Sequence, residues 1–83
     1  MPSRNELIRK RREAFLAQGF KPSIVELAME WASGCAEGMA NYVTKQGEGD
    51  SGLEELTVRF LPRYLDDSER WMRSFGHEPK KVA

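Results

Sequence analysis

Apolar residues recur every three or four positions along most of this chain, in three stretches that glycine-containing links separate. An α-helix turns about 100° per residue, so this spacing places the apolar side chains on one side of a helix. The pattern predicts helices over 4–18, 24–46 and 52–75. We therefore expect an all-α fold, a three-helix bundle that forms a single domain over 1–83, with 76–83 as a flexible tail.

A repeated start signal and a repeated stop signal mark the helix boundaries. A Ser-x-x-Glu sequence begins at Ser3, Ser23 and Ser51. It is typical of a capping box, in which the serine and glutamate side chains bind free N–H groups at a helix start. A glycine follows each apolar stretch and can end a helix, because it enters the left-handed conformation at little cost. These glycines are Gly19, Gly47 and Gly76.

The first predicted helix has an apolar side that one charged residue interrupts. Arg11 falls within this side, so its guanidinium must reach past the apolar surface or meet an acidic residue. The link over 19–22 is short, which predicts that the second helix folds back antiparallel to the first. The apolar residues of this side are Leu7, Ile8, Ala14 and Phe15.

The second predicted helix has a broad apolar side and an acidic side. The apolar residues are Ile24, Leu27, Ala28, Trp31, Ala32, Cys35, Met39 and Tyr42. Alanines recur at four-residue spacing as Ala28, Ala32, Ala36 and Ala40. Gly34 and Gly38 repeat that spacing; a helical glycine costs up to about 1 kcal/mol relative to alanine, which close helix packing would offset. Glu26, Glu30 and Glu37 form the acidic side, which faces solvent or a partner.

The third predicted helix keeps one apolar side along its whole length, although Pro62 lies in its middle. Proline removes the hydrogen bond to the carbonyl of Val58 and crowds that turn. We expect one helix that is kinked at Pro62, because Leu61 is a poor cap and the apolar pattern continues. The alternative is a break that would make four helices. The apolar side consists of Phe60, Leu61, Tyr64, Leu65, Trp71, Met72 and Phe75.

Charge and cysteine content narrow the class of protein. The 13 basic and 13 acidic residues cancel, so the overall charge indicates neither nucleic acid nor a membrane surface as the partner. A single cysteine cannot form an internal disulfide, and no apolar run approaches the ~18 residues of a membrane span. We expect a cytoplasmic protein with no membrane partner.

The candidate ligand-binding loop does not fit a known phosphate site. Residues 47–52 spell GxGxxG, but the dinucleotide motif needs a strand before it, and a helix is predicted there. Glu48 and Asp50 would also repel a pyrophosphate. A divalent cation on Glu48, Asp50 and Glu54 is an alternative, although the spacing does not match an EF-hand loop.

No pattern in the sequence predicts catalysis. Cys35 lies on the apolar side of the second helix and is interpreted as a buried structural thiol. The chain's one histidine, His77, lies in the terminal segment, where it cannot serve Cys35 as a base. We predict no enzymatic activity, no cofactor and no metal site.

Basic residues supply the alternative function, a small nucleic-acid-associated protein. The first helix is basic, and arginines line the polar side of the third. Such residues neutralise phosphates, although the acidic second helix is unlike the recognition helix of a helix-turn-helix. The predicted phosphate contacts are Arg9, Lys10, Arg12, Arg59, Arg63, Arg70 and Arg73. Four ion pairs could instead keep the third helix solvated: Glu55–Arg59, Arg63–Asp67, Asp66–Arg70 and Glu69–Arg73.

The leading prediction comes from the aromatic residues. Two tryptophans, two tyrosines and four phenylalanines exceed what a thin bundle can bury, and an exposed aromatic patch marks a protein interface. We predict a non-enzymatic protein–protein interaction module, an adaptor, inhibitor or accessory subunit that also forms a homodimer. The basic first helix and the acidic second helix could pair between subunits. Candidate interface residues are Trp31, Met39, Tyr42, Tyr64, Trp71 and Phe75.

Overall fold

The computed structural model describes residues 2–45 and 52–79. Over these residues it contains three helices and no strand: α1 (Arg4–Gln18), α2 (Pro22–Lys45) and α3 (Leu53–Ser74). The predicted all-α, three-helix fold is therefore confirmed. The predicted stop at Gly47, start at Ser51, GxGxxG loop with its two acidic residues, and the last part of the tail lie outside the described residues.

The start of α1 follows the prediction, and the start of α2 does not. The Ser3 hydroxyl accepts a hydrogen bond from the Glu6 N–H at 3.2 Å. α2 begins at Pro22, so the capping box predicted at Ser23 is wrong. Proline suits the first helical position, because its fixed φ is helical and the N–H that it lacks would be unpaired there. The carbonyl of Lys21 accepts the first hydrogen bonds of α2.

The end of α1 is a left-handed glycine turn, as predicted. Gly19 has φ 100° and donates its N–H to the carbonyl of Leu16, and the N–H of Phe20 donates to the carbonyl of Phe15. These two bonds satisfy carbonyls that the helix end leaves free. The rings of Phe15 and Phe20 meet edge to face with centroids 5.5 Å apart, and both are buried.

α3 runs without a break from Leu53 to Ser74, with Pro62 inside it. The four-helix alternative is therefore wrong. α3 ends as predicted at Gly76, which has φ 84° and donates to the carbonyl of Arg73. The N–H of the next residue, His77, donates to the carbonyl of Met72 and completes the same turn that ends α1.

α2 and α3 are the most closely associated helices, and α1 packs along one side of the pair. The pair is antiparallel, because Trp31 in the first half of α2 contacts Trp71 near the end of α3. Core residues come from all three helices and the α1–α2 link. They are Phe15, Phe20, Val25, Ala28, Met29, Ala32, Ala36, Leu61, Leu65 and Met72.

The alanines of α2 form the closest part of this contact. Ala28, Ala32, Ala36 and Ala40 are all fully buried, which confirms the prediction of a small-residue seam on α2. α3 also presents small residues that are fully buried, Thr57 and Ser68. Their hydroxyls donate to carbonyls of their own helix, those of Leu53 and Leu65, at 2.8 and 2.6 Å. Neither hydroxyl is therefore left unpaired in the core.

The buried side of α2 is rotated relative to the prediction. Val25 and Met29 are buried, whereas Leu27 is 51% exposed, because α1 packs on the side of α2 that carries Val25 and Met29. Gly34 and Gly38 are exposed, and a Cβ atom built on either meets nothing within 4 Å. The prediction that these two glycines serve close packing inside the bundle is wrong. Ala14, predicted on the apolar side of α1, is also exposed.

Arginines hold α1 against the other two helices. Arg4 donates to Glu37 of α2 and, at 2.7 Å, to Glu54 of α3. Burial alone would lower the pKa of Arg4, but its hydrogen bonds and charge interactions with the two glutamates raise it. The guanidinium therefore stays charged at all accessible pH values, and it links all three helices.

Arg11 and Arg12 also form ion pairs that connect α1 to the other two helices. Arg11 donates to Asp66 at 2.7 Å and lies over the ring of Phe15, which confirms that it reaches past the apolar side to meet an acid. Arg12 forms a two-point pair with Glu26 at 2.6 and 3.4 Å. Within one chain, Arg4 and Arg12 of α1 thus pair with α2, and Arg4 and Arg11 pair with α3.

The first prediction contrasts the two small-residue rows of α2. Ala36→Leu should destabilise the fold by about 1–3 kcal/mol, because it overpacks the buried seam. Gly34→Ala should stabilise it by up to about 1 kcal/mol, because the helix gains propensity where nothing is in the way. Urea unfolding followed by circular dichroism measures both changes. If both substitutions change the free energy of unfolding in the same direction, this description of the packing is contradicted.

The second prediction concerns the attachment of α1. Arg4→Ala should lower the free energy of unfolding by about 1 kcal/mol, and added salt should reduce the difference, because the lost contacts are partly exposed ion pairs. Arg9→Ala is the control, since within 2–45 and 52–79 the one ion pair of Arg9 is with Glu13 of its own helix. If the two variants lose equal stability in the same urea experiment, the bridging role of Arg4 is refuted.

Candidate interaction surface

α1 covers one side of the α2–α3 pair and leaves the opposite side open. Helical periodicity places one continuous set of apolar side chains on that open side, which we call the aromatic face. Its residues are Leu27, Trp31, Cys35, Met39 and Tyr42 of α2 and Phe60, Tyr64, Trp71 and Phe75 from α3 and its C-terminal end.

A row of four rings crosses the aromatic face from one helix to the other. Trp31 stacks on Trp71 with centroids 6.1 Å apart and an angle of 15° between the planes. Trp31 also meets Tyr64 edge to face at 6.2 Å, and Trp71 contacts Phe75 at 5.4 Å. Aromatic pairs of this kind contribute about 0.5–1.5 kcal/mol each beyond their burial. The rings are therefore held in defined positions.

Much of the aromatic face remains accessible to solvent. Phe75 is 68% exposed, Tyr42 62%, Leu27 51% and Met39 38%. Trp31, Tyr64 and Trp71 are half-buried, and each contacts at least one of the other rings. Isolated exposed leucines such as Leu16 are ordinary on a protein surface, whereas a contiguous exposed patch of aromatic residues is not.

The six predicted interface residues lie together on this face. Four of them form the row of rings, and Met39 and Tyr42 line a shallow groove beside Tyr64. That groove is also lined by Cys35, which is half-buried and not fully buried as predicted, because α1 covers the other side of the seam. The sequence analysis missed Leu27 as a surface residue, since its spacing is equally compatible with the core.

Four exposed charged residues of α2 and α3 form no ion pair with another residue of 2–45 or 52–79: Glu30, Arg59, Arg63 and Arg70. Glu30 lines a shallow groove together with Ile8 and Arg12 of α1, so it lies on the α1 side of the bundle. Arg59 lies beside the start of α1, in a concave region that Leu7 also lines.

The predicted phosphate contacts divide into paired and unpaired residues. Arg9 pairs with Glu13, Arg12 with Glu26, and Arg73 with Glu69 and Glu78. Within the described part of the chain, four of the seven form no ion pair: Lys10, Arg59, Arg63 and Arg70.

The ion pairs predicted along the third helix are mostly absent. Glu69–Arg73 forms at 3.4 Å, and the other three predicted pairs do not. Asp66, which was expected to pair with Arg70, instead pairs with Arg11 of α1 at 2.7 Å. Arg70 is exposed and forms no ion pair among the described residues.

Another concave region lies between the start of α1 and α3. It has a volume of about 720 Å³ and is lined mainly by aliphatic groups, among them Pro2, Leu7, Val58 and Pro62. Charged residues, Glu54 and its neighbours, form its rim. It contains no aromatic ring, so it offers less of the rigid contact area that protein interfaces use than the aromatic face does.

Neither a metal-binding cluster nor a membrane-spanning helix is found among the described residues. Over 2–45 and 52–79, no group of three or more His, Cys, Asp or Glu side chains is placed to hold a metal ion. Among the same residues, none of the helices combines the length and the apolar character that crossing a bilayer requires.

No family model matches this sequence, no curated protein is significantly similar to it, and no solved structure matches it significantly.

Proposed function

We propose that this protein is a non-enzymatic interaction module, an adaptor, inhibitor or accessory subunit, that binds through its aromatic face and associates with itself as a homodimer. The observation that supports this proposal is the contiguous exposure of large apolar side chains on the side of the bundle opposite α1. A cytoplasmic setting belongs to the proposal, because a single free cysteine suits a reducing compartment.

The size of the patch matters for the energetics of binding. Association costs an estimated 4–15 kcal/mol in lost motion, and buried apolar surface returns about 25 cal/mol per Å². One exposed leucine cannot offset that cost. Four exposed large side chains beside half-buried tryptophans can, if they are buried together in one interface.

The arrangement of the rings favours binding for a second reason. Side chains that become fixed only on binding lose rotamer freedom, which costs roughly 0.5–1.5 kcal/mol each. Trp31, Trp71 and Tyr64 already hold one another in place through ring contacts. They would lose little further freedom in an interface. Tryptophan and tyrosine are also the residues that most often dominate binding energy.

The alternative, a protein that contacts nucleic-acid phosphates, draws less support from the geometry. Arg9, Arg12 and Arg73 are engaged by carboxylates that a phosphate would have to displace. The unpaired row of Arg59, Arg63 and Arg70 lies on α3, separate from Lys10 on α1. Phosphate binding through that row is the second candidate function. It would be recognised by an affinity for nucleic acid that falls steeply with added salt.

The third prediction tests the aromatic face directly. Leu27→Glu should convert the associated protein to a monomer, because it places a charge on the exposed apolar surface of the aromatic face without disturbing the core. Leu16→Glu is the matched control: Leu16 is 41% exposed but lies on α1, away from the face. Size-exclusion chromatography with light scattering, at moderate salt, measures the mass of each variant.

The same experiment separates the two candidate functions. We expect the unmodified chain and Leu16→Glu to have the mass of a dimer, with mass independent of salt. A monomer for the unmodified chain that also captures no protein partner would refute the proposal. A monomer-sized peak with strong absorbance at 260 nm, removable by nuclease and lost at high salt, would support phosphate binding instead.

A further inference from the structure

An acidic residue lies at the margin of the aromatic face, among the rings of α3. Asp67 is seven residues after Phe60, three after Tyr64 and four before Trp71. Residues at these spacings are neighbours on one side of a helix. A turn of about 100° per residue places Asp67 roughly 20° from Phe60 and roughly 40° from Trp71 around the helix axis. A partner that covers these rings therefore covers Asp67 as well.

Asp67 is half-buried and has no partner in the part of the chain that the structure describes. Its carboxylate forms no ion pair and accepts no hydrogen bond from residues of 2–45 or 52–79. Arg63 and Arg70, one turn before and one turn after it, are exposed and do not pair with it. The preceding residue, Asp66, is exposed and pairs with Arg11. The two adjacent acids thus differ, and only Asp67 borders the rings.

The carboxylate of Asp67 restricts what can cover the aromatic face. A partner that buries the rings also removes water from this carboxylate, and a carboxylate that is buried without a donor opposes binding. A wholly apolar partner is therefore disfavoured at this point, and an acidic partner is repelled. A basic side chain of the partner would instead satisfy the carboxylate that binding desolvates.

Arginine suits this position better than lysine does. Its planar guanidinium can donate two parallel hydrogen bonds to one carboxylate, whereas the lysine ammonium acts as a point charge. The guanidinium also stacks on aromatic rings and is more weakly hydrated than an ammonium group, so it enters an interface at lower cost. Phe60 and Trp71 provide such rings on either side of Asp67 along α3.

The same combination of arginine, ring and carboxylate occurs twice inside the fold. Arg11 lies over the ring of Phe15, 5.7 Å from its centroid, and donates to Asp66 at 2.7 Å. Arg73 lies 5.5 Å from the ring centroid of Phe20 and also pairs with two carboxylates. In both cases the arginine is supplied by the chain itself. At Asp67 the carboxylate and the rings are present, and no described residue supplies the arginine.

We propose that the aromatic face binds a segment of a partner protein that presents an arginine flanked by apolar side chains. The guanidinium binds Asp67, and the apolar side chains pack on the rings of Trp31 and Trp71. This inference rests on the proposed function and specifies the chemistry of the partner. The apolar contacts supply most of the affinity, and the arginine selects the partner.

Two short peptides test the requirement for an arginine. The probes are the acetylated, amidated tripeptides Leu-Arg-Leu and Leu-citrulline-Leu, which differ in that citrulline carries a neutral urea group in place of the guanidinium. The tryptophan emission of the chain, diluted until light scattering shows a monomer, reports binding, because both tryptophans lie on the aromatic face. The arginine peptide should bind roughly fivefold or more tightly than the citrulline peptide.

A matched pair of variants tests the role of Asp67. Asp67→Asn should bind the two peptides equally, because it removes the charge that distinguishes them. Asp66→Asn is the control and should keep the preference for arginine, since Asp66 pairs with Arg11 of α1. Urea unfolding gives a second readout: Asp67→Asn should be as stable as the unmodified chain, because its carboxylate forms no bond with a described residue. A structural role for Asp67 would instead lower stability and leave the preference unchanged.

The outcomes separate this inference from the proposed function. If neither peptide changes the emission, if both bind equally to the unmodified chain, or if Asp67→Asn keeps the preference, the arginine site is refuted. The aromatic face is still the interface in that case, provided that Leu27→Glu prevents association. If Asp67→Asn abolishes self-association, a second copy supplies the cation and a separate partner protein is refuted. If the unmodified chain neither dimerises nor binds any protein or peptide, both proposals fail.

Discussion

The close approach of α2 to α3 along the alanine seam is the contact on which the rest of the structure depends. Four fully buried alanines on α2 and small residues on α3 bring the two helices together, and the hydroxyls of Thr57 and Ser68 stay satisfied within their own helix. The pair is therefore a narrow two-helix layer with two broad sides. A single further helix, α1, can cover only one of them, so the aromatic side stays open.

The two sides are stabilised in different ways. On the α1 side, apolar burial around Phe15 and Leu61 is reinforced by arginines that reach carboxylates on α2 and α3. On the open side, Trp31 and Trp71 stack across the seam and remain half-exposed. On the α1 side, the basic residues of α1 hold the three helices together, so fewer of them are available to bind an external phosphate. On the open side, the ordered apolar surface is available to a partner.

Local signals in the sequence were sufficient to predict most of the fold. Gly19 and Gly76 end their helices because a left-handed turn needs glycine, and Ser3 caps α1 because its hydroxyl can reach a free N–H. The candidate face was found from the number of aromatic residues. The alanine row of α2 was predicted correctly as part of the packed side, but the exposure of Gly34 and Gly38 was not, because it depends on where the other two helices pack. Ion-pair partners such as Arg11–Asp66 depend on that same packing.

The central claim is that the aromatic face becomes buried when the protein associates. Trp31 and Trp71 are the chain's two tryptophans, and both lie on this face, so tryptophan emission reports on it alone. The most direct measurement is acrylamide quenching of that emission over a range of protein concentrations, alongside the mass from light scattering. The account predicts that quenching falls as the mass rises from monomer to dimer, with a common midpoint. Quenching that does not change while the mass doubles would place the interface elsewhere and contradict the account.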